Sequence, residues 1–149
     1  MQSVLIVENN QLFRSTFKEI LQHHLPNTSI EEASNHEEAW QKIEALQPTV
    51  IFIDIRLPGK SGLELTREIK KRYSRTTVTI LTNYDIPEYR NAAYRYGADH
   101  FLLKDSLTAN DIAVLAKTIL LGQSSFFQKA AIGYAGFASG AEPPGSRIK

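Results

Sequence analysis

The chain contains no cysteine, and this absence excludes several kinds of site at once. Without thiols it cannot form disulfides, bind zinc through thiolates or use a cysteine nucleophile. Its four histidines are scattered and do not share the H-x-x-x-H spacing of helical zinc sites. The first apolar run follows no basic segment and is too short for a signal peptide or a membrane span. We therefore expect a cytoplasmic protein with no membrane partner.

An excess of charge of either sign is also lacking. Seventeen Lys and Arg residues face sixteen Asp and Glu residues, a net charge of +1, so no broad polyanionic partner is indicated. No basic recognition helix is visible, and we expect no direct nucleic-acid contact from this chain. A glycine-rich phosphate fingerprint is missing too, which argues against a nucleotide-binding fold.

What the chain does have is a regular alternation of short apolar runs and helical patterns. The predicted strands are residues 4–7, about 29–33, 50–53, 77–81 and 101–103. After each strand, apolar side chains recur at helical spacing. Five βα units in a row predict an α/β fold, a doubly wound five-stranded parallel sheet with helices on both faces. In the flavodoxin-like strand order 2-1-3-4-5, strands one and three are neighbours.

Three pairs of residues have the spacing of an N-cap followed by an acidic N3 residue. They are Ser34 with Glu37, Asp85 with Glu88, and Thr108 with Asp111. Such pairs satisfy unpaired N–H groups in the first turn of a helix. We therefore predict that three of the helices begin at these positions.

The composition changes after Gly122. Residues 123–149 are rich in glycine, include Pro143-Pro144 and carry few charges. We predict a globular domain over residues 1–122 and a linker or C-terminal tail over 123–149. Helical spacing continues through about residue 131, and disorder is expected from about residue 139.

Asp54 directly follows the apolar run 50–53. A charge there is costly unless it lies in the crevice at the carboxyl edge of the sheet, where open α/β sheets bind ligands. Taken alone, Asp54 could simply be a turn residue after a strand. Three other strands also end in polar residues: Glu8, Thr82 and Lys104. In the predicted order these side chains share one crevice, so the strand ends together predict a functional site.

Four segments at these strand ends carry a resemblance to a known family. They are VLIVEN at 4–9, DIRLPGKSG at 54–62, ILTN at 80–83 and FLLKDS at 101–106. In this order and spacing the chain resembles the receiver domain of two-component response regulators. The LLKDS segment is similar to the LuxR/nitrate-regulator-type subfamily, whose members usually carry a DNA-binding helix-turn-helix domain after the receiver.

The resemblance implies a site, a cofactor and partners. Asp54 would accept a phosphoryl group from a sensor histidine kinase, as a signalling domain rather than an enzyme. Mg²⁺ would be held by Glu8, Asn9, Asp54 and the backbone carbonyl of Arg56. Lys104 and Thr82 would bind the phosphoryl group, and Phe101 would be the aromatic switch residue.

Asn9 departs from the family pattern, which usually has two acidic residues after the first strand. Asn9 supplies a neutral oxygen in place of a carboxylate, while Glu8 is one methylene longer than Asp. We therefore predict weak Mg²⁺ binding. Taken alone, Asn9 could also be only a helix N-cap.

The region around the fourth helix is rich in tyrosine. Tyr84, Tyr89, Tyr94 and Tyr96 lie within a short span. Tyrosine combines a large apolar contact area with a polar tip, so this span could serve the core or an interface. A homodimer through this region is one possibility.

Three functions remain open at this point. The chain could be a phosphoacceptor receiver, on its own or as a fragment of a DNA-binding transcriptional regulator. It could be a phosphorylation-independent receiver that acts as a binding or dimerisation module. It could also be an unrelated doubly wound enzyme such as an Asp-nucleophile phosphatase, although that chemistry would want a second Asp where Arg56 stands.

Overall fold

The computed structural model describes residues 2–122 and the backbone of residues 137–139. The five predicted strands are all present: β1 (Ser3–Val7), β2 (Ser29–Ala33), β3 (Val50–Asp54), β4 (Thr77–Thr82) and β5 (His100–Leu103). They pair in parallel in the order β2-β1-β3-β4-β5. The predicted fold class and strand order are therefore confirmed.

Five helices connect and follow these strands: α1 (Gln11–His24), α2 (His36–Leu46), α3 (Gly62–Arg72), α4 (Pro87–Arg95) and α5 (Ala109–Leu120). A single 3₁₀ turn over Lys104–Ser106 follows β5. None of the described helices combines the length and the apolar character needed to cross a lipid bilayer.

The sheet separates two hydrophobic cores. One contains buried residues of α2, α3 and α4, and the other contains buried residues of α1 and α5. Alternate residues of β1 enter the two cores, with Leu5 in the first and Ile6 in the second. Successive side chains of a strand point to opposite faces, so a strand covered on both sides is apolar throughout. This explains why β1 and β3, whose residues are all buried, read as short and almost continuous apolar runs.

The helix starts agree only in part with the prediction. The capping box of α5 is confirmed, since Thr108 Oγ1 accepts the Asp111 N–H and the Asp111 carboxylate accepts the Thr108 N–H. The prediction for α2 was wrong by one residue, because Asn35 caps the helix and accepts the Glu38 N–H.

The predicted cap of α4 was wrong. Ile86 is the N-cap residue and makes no side-chain capping bond, and Pro87 opens the helix. Proline suits this position because its fixed φ is helical and its missing N–H would have no helical partner there. Asp85 instead accepts a hydrogen bond from Arg90 at 2.6 Å.

A sixth strand, β6 (Phe137–Ser139), pairs antiparallel with β5 at the edge of the sheet. The sequence patterns had indicated no strand there. The rest of what was predicted for residues 123–149, including the domain boundary, the helical continuation and the disorder, lies outside the described residues.

Candidate functional site

The carboxyl ends of β1, β3, β4 and β5 bring the predicted site residues to one edge of the sheet, except Phe101, which lies within β5. A cavity of about 200 Å³ opens there, lined by Glu8, Asn9, Asn10, Asp54, Arg56, Asn83, Tyr84 and Lys104. Thr82 and Phe101 are fully buried. The strand-end prediction therefore located a real cavity, with polar and charged groups around it.

Lys104 holds the two carboxylates of the site together. Its Nζ atom lies 2.5 Å from Glu8 Oε1 and 3.4 Å from Asp54 Oδ2. The side chains of Glu8 and Lys104 are only 1% and 9% exposed, so this pair is almost closed to water. In this contact two carboxylates share one ammonium, while the other cationic side chain of the cavity, Arg56, lies over Tyr84. Removing one partner from such a buried group would leave an uncompensated charge.

The pKa of Asp54 depends on its burial and on the charged groups around it. Burial raises the pKa of Asp54 to about 6 from its usual 3.8, and the negative charge of Glu8 adds to the effect. The Lys104 ammonium and a hydrogen bond from the Arg56 N–H to Asp54 Oδ1, at 3.3 Å, oppose the rise. Asp54 is thus a carboxylate whose ionised form would gain from an additional nearby cation.

The loop after β1 corrects one alternative interpretation. Asn10, not Asn9, is the N-cap of α1, and Asn10 Oδ1 accepts the Phe13 N–H at 2.9 Å. The Asn10 N–H in turn donates to Glu8 Oε2 at 2.9 Å, which fixes the carboxylate. Asn9 is exposed and lines the cavity. The interpretation of Asn9 as a helix cap was therefore wrong.

The donor atoms around the cavity suit a hard cation. Carboxylate and amide oxygens are the ligands that Mg²⁺ prefers. Only two carboxylates line the cavity, and the described residues contain no cluster of three His, Cys, Asp or Glu side chains that could hold a metal ion. The Lys104 ammonium also contacts both carboxylates. The residues fit an oxygen-bound cation with few charged ligands.

Thr82 is the last residue of β4, and its hydroxyl oxygen takes part in a backbone hydrogen bond. Its Oγ1 accepts the Tyr84 N–H at 3.1 Å. A hydroxyl that accepts a bond still has its own proton to donate. Phe101 belongs to the core between the sheet and α4, and the Arg90 guanidinium lies 5.5 Å from the centre of its ring. Phe101 therefore points inward in this structure.

Two groups of side chains, one at the cavity and one where α2, α3 and the loop after β3 meet, were not found from the sequence patterns. The first is a stack of the Arg56 guanidinium on Tyr84, 4.3 Å from the ring centre, with Tyr89 edge-on to Tyr84 at 6.4 Å. Tyr84 is 38% exposed, whereas Tyr89 and Tyr94 are partly buried against the core. The tyrosine-rich span thus contributes to both the core and the surface. No local sequence pattern predicts the stacking of Arg56 on Tyr84.

The second group centres on Glu68 of α3. Its carboxylate accepts from Trp40 Nε1 at 2.8 Å and Lys60 Nζ at 2.9 Å, and it contacts His36 Nε2 at 2.8 Å. Although burial alone would raise it, these hydrogen bonds hold the pKa of Glu68 at about 2. Lys60 belongs to the loop after Asp54, so this cluster ties that loop to α2 and α3. Its members are too distant in sequence to suggest one another.

Gly62 explains how α3 approaches the site. Its N–H donates to the Ile55 carbonyl at 2.7 Å, and a Cβ on this residue would lie 2.1 Å from the backbone oxygen of Asp54. Only glycine permits so close an approach of backbone to backbone. The start of α3 is therefore packed directly against the residue that ends β3.

Comparison with known proteins gives the chain its relatives. Residues 4–117 match the family model described as "Response regulator receiver domain". The chain is 29% identical over 119 residues to the transcriptional regulatory protein DegU of Brevibacillus brevis, covering 80% of this chain and 50% of that protein. It is 32% identical over 126 residues to the uncharacterized transcriptional regulatory protein YvfU of Bacillus subtilis, covering 85% of this chain and 62% of that protein. The chain thus spans about half to three fifths of the length of these curated relatives.

A solved structure agrees with this assignment. The crystal structure of a LuxR-family DNA-binding response regulator from Staphylococcus aureus superposes with a TM-score of 0.73 at 26% identity, over 80% of this chain and 98% of that one. The matched family model covers most of the chain, from the first strand into α5. The chain therefore belongs to the response regulator receiver family, whose domains serve in two-component signalling.

Proposed function

We propose that Asp54 accepts a phosphoryl group from a sensor histidine kinase and that the modified domain changes a protein-interaction face. The observation that carries the proposal is the position of the Asp54 carboxylate, in the cavity and 3.4 Å from the Lys104 ammonium. A nucleophile and a cation that can pair with the incoming phosphoryl oxygens are then side by side.

The transfer itself needs little covalent chemistry from the protein. One Asp54 carboxylate oxygen attacks the phosphorus of the phosphohistidine, the P–N bond breaks and the kinase imidazole takes up a proton. The domain acts here as the acceptor in the kinase reaction and not as an enzyme with its own substrate. Because attack requires the ionised carboxylate, the raised pKa of Asp54 makes cationic neighbours important.

The negative charge of the phosphoryl group would be neutralised by two cations, Lys104 and Mg²⁺. In the structure the Lys104 ammonium lies 2.5 Å from Glu8 Oε1. On phosphorylation it would break this contact and pair with the phosphoryl group. Mg²⁺, when bound to Glu8, Asn9, Asp54 and the carbonyl of Arg56, would offset the charge on the phosphoryl oxygens. Since Asn9 brings no charge and Lys104 competes for both carboxylates, the affinity for Mg²⁺ would be low.

The response would travel through Thr82 and Phe101. The Thr82 hydroxyl can donate to a phosphoryl oxygen while keeping the Tyr84 N–H. A shift of this strand end would change the packing around the buried Phe101 ring, which Arg90 of α4 contacts. The tyrosine-bearing surface near α4 would then be the face that meets a partner, including a second copy of the domain.

The wider setting is part of the same proposal. Residues 1–122 would form the receiver and 123–149 a linker or tail. Because the relatives are transcriptional regulators of greater length, the chain would be the receiver part of such a regulator and work in the cytoplasm.

The test is phosphorylation in solution. The protein is incubated with Mg²⁺ and acetyl phosphate beside Asp54→Asn, and the mass of each is followed. We expect one added phosphoryl group on the wild type and none on the variant. A wild type that gains no phosphate under conditions that label a standard receiver would contradict the proposal.

One observation favours a second candidate, a phosphorylation-independent receiver that acts as a binding module. Lys104 contacts both carboxylates, so the site already contains a cation of its own that bridges them. In that case any dimer, followed by light scattering after size exclusion, would be the same with and without beryllofluoride and in Asp54→Asn. A beryllofluoride-dependent change in mass would favour phosphorylation instead.

A further inference from the structure

The outer edge of β5 is occupied by the chain itself. His100, Phe101 and Leu102 pair antiparallel with Ser139, Ala138 and Phe137, respectively. Without β6, β5 would be the last strand of the parallel sheet and would offer unpaired N–H and C=O groups along this edge. The three β5 residues are at most 2% exposed. The edge therefore has a partner, and that partner is a short extended segment.

The sequence of the segment suits this role. Residues 130–141 contain no charged side chain, whereas exposed edge strands are usually protected by charges. An uncharged extended segment can add to a sheet edge through main-chain hydrogen bonds alone. The connecting residues 123–136 can span roughly 45 Å when extended, so the segment can reach β5 of its own chain.

We propose that Phe137–Ser139 is an intramolecular plug of the β5 edge. A sheet edge accepts one neighbouring strand, so pairing with the chain's own segment excludes strand addition by another extended peptide or by a second copy. The outer edge of β5 is thus a site for strand addition, and Phe137–Ser139 of the same chain occupies it. The pairing lies at the edge of the sheet and does not depend on phosphorylation of Asp54.

The pairing can be tested with an engineered disulfide, because the chain has no cysteine of its own. His100 and Ser139 are directly paired, and facing residues of an antiparallel ladder have Cα atoms about 4.5–5.5 Å apart, within disulfide range. We expect His100→Cys/Ser139→Cys to form an intramolecular bridge under mild oxidation. The matched control is His100→Cys/Ala138→Cys, whose two positions are not paired in the ladder and should bridge at least tenfold more slowly.

The product on a non-reducing gel decides among the outcomes. A bridged monomer formed only by the paired variant supports the proposal. Equal bridging in both variants, no bridging, or bridged dimers in place of bridged monomers would overturn it. Amide exchange in β1 and β3 of each variant establishes that the domain is folded.

A second measurement tests the plug without changing β5. Ala138→Pro/Ser139→Pro removes adjacent N–H groups, at least one of which belongs to a hydrogen-bonded pair, because such pairs alternate along the ladder. A fluorescent peptide of residues 133–143 should bind this variant at least tenfold more tightly than it binds the wild type or Ala138→Ser/Ser139→Ala, which keeps both N–H groups. Equal binding to all three proteins would contradict a plugged edge.

Discussion

At the scale of single residues, the two carboxylates of the site have a shortage of cations in contact with them, because the Arg56 guanidinium lies over Tyr84. Lys104 must serve Glu8 and Asp54 together. A buried carboxylate that shares one ammonium with a second carboxylate ionises less readily. Accordingly, burial raises the pKa of Asp54 to about 6. Because of this shortage, any cation that enters the cavity would lower the proton affinity of Asp54.

This shortage gives a pH dependence of stability. The pKa of Asp54 is about 6 in the folded protein against 3.8 as the usual value, so the folded state binds more protons between these pH values. The contribution of Asp54 to the free energy of unfolding should therefore fall as the pH rises from about 4 to about 6, by roughly 1–3 kcal/mol. Asp54→Asn removes this contribution. Urea denaturation in EDTA should show Asp54→Asn gaining stability relative to the wild type over this range; parallel profiles would contradict the prediction.

Asn9 gives a prediction for metal affinity. Asn9→Asp adds a carboxylate at the exposed end of the cavity and should tighten Mg²⁺ binding roughly tenfold, or about 1.4 kcal/mol, measured by titration calorimetry. The matched control is Asn10→Asp, since the Asn10 side-chain oxygen is already used to cap α1. If both substitutions tighten binding equally, general charge and not ligation at position 9 controls the affinity.

Much of this site was predictable because its residues directly end or follow strands. Glu8, Asp54 and Lys104 meet wherever parallel strands β1, β3 and β5 end at one edge. The distinction between Asn9 and Asn10 was not predictable, because either amide can cap a helix and only the backbone conformation selects one. The Arg56–Tyr84 stack depends on how two loops approach, which no periodicity encodes.

At the scale of elements, helix bodies were easier to predict than helix starts. The apolar spacing defines a buried face over many residues, whereas a cap depends on one residue and a turn of backbone. Asn35 and Ser34 are adjacent polar residues, and the structure selects Asn35 because its side chain reaches the Glu38 N–H. For α4 the proline at the first helical position, rather than Asp85, marked the start.

The contact between α3 and β3 is the element-scale feature most sensitive to mutation. Gly62→Ala would place a methyl group 2.1 Å from the Asp54 carbonyl oxygen, which is backbone and cannot move aside cheaply. We expect a loss of about 3 kcal/mol or more in the free energy of unfolding by urea denaturation. Gly59→Ala is the matched control: Gly59 has φ +82° but open space around it, so only backbone strain of about 1–2 kcal/mol is expected. Equal losses would show that the predicted overlap is relieved.

At the scale of the whole molecule, the sheet separates two cores that must both be filled. Phe52 is fully buried on the α1 side, where its ring meets Phe17 edge-on at 5.0 Å. Phe52→Ala should cost about 3–5 kcal/mol because the cavity cannot collapse between the sheet and two helices. Leu12→Ala, at a side chain 78% exposed, should change stability by less than about 0.5 kcal/mol. Chemical denaturation of both variants checks the contrast, and similar values would contradict it.

The overall architecture was the most predictable level, since five βα units leave few ways to bury every strand. The sixth strand was not predictable in this way. Phe137–Ser139 is short and adds to the sheet through backbone pairing, so no apolar alternation is required.

The central position of β1 has a consequence for synthesis. This strand is made before β2 and β3, but it lies between them in the sheet, and β3 ends only at Asp54. Once β2 has emerged from the ribosome, one edge of β1, whose residues 4–7 are all apolar, still lacks its second neighbour. At ordinary translation speeds the remaining residues take about 1–4 s. During that interval the nascent chain exposes apolar surface that is fully buried in the folded domain, and this surface is open to chaperones and to misassembly.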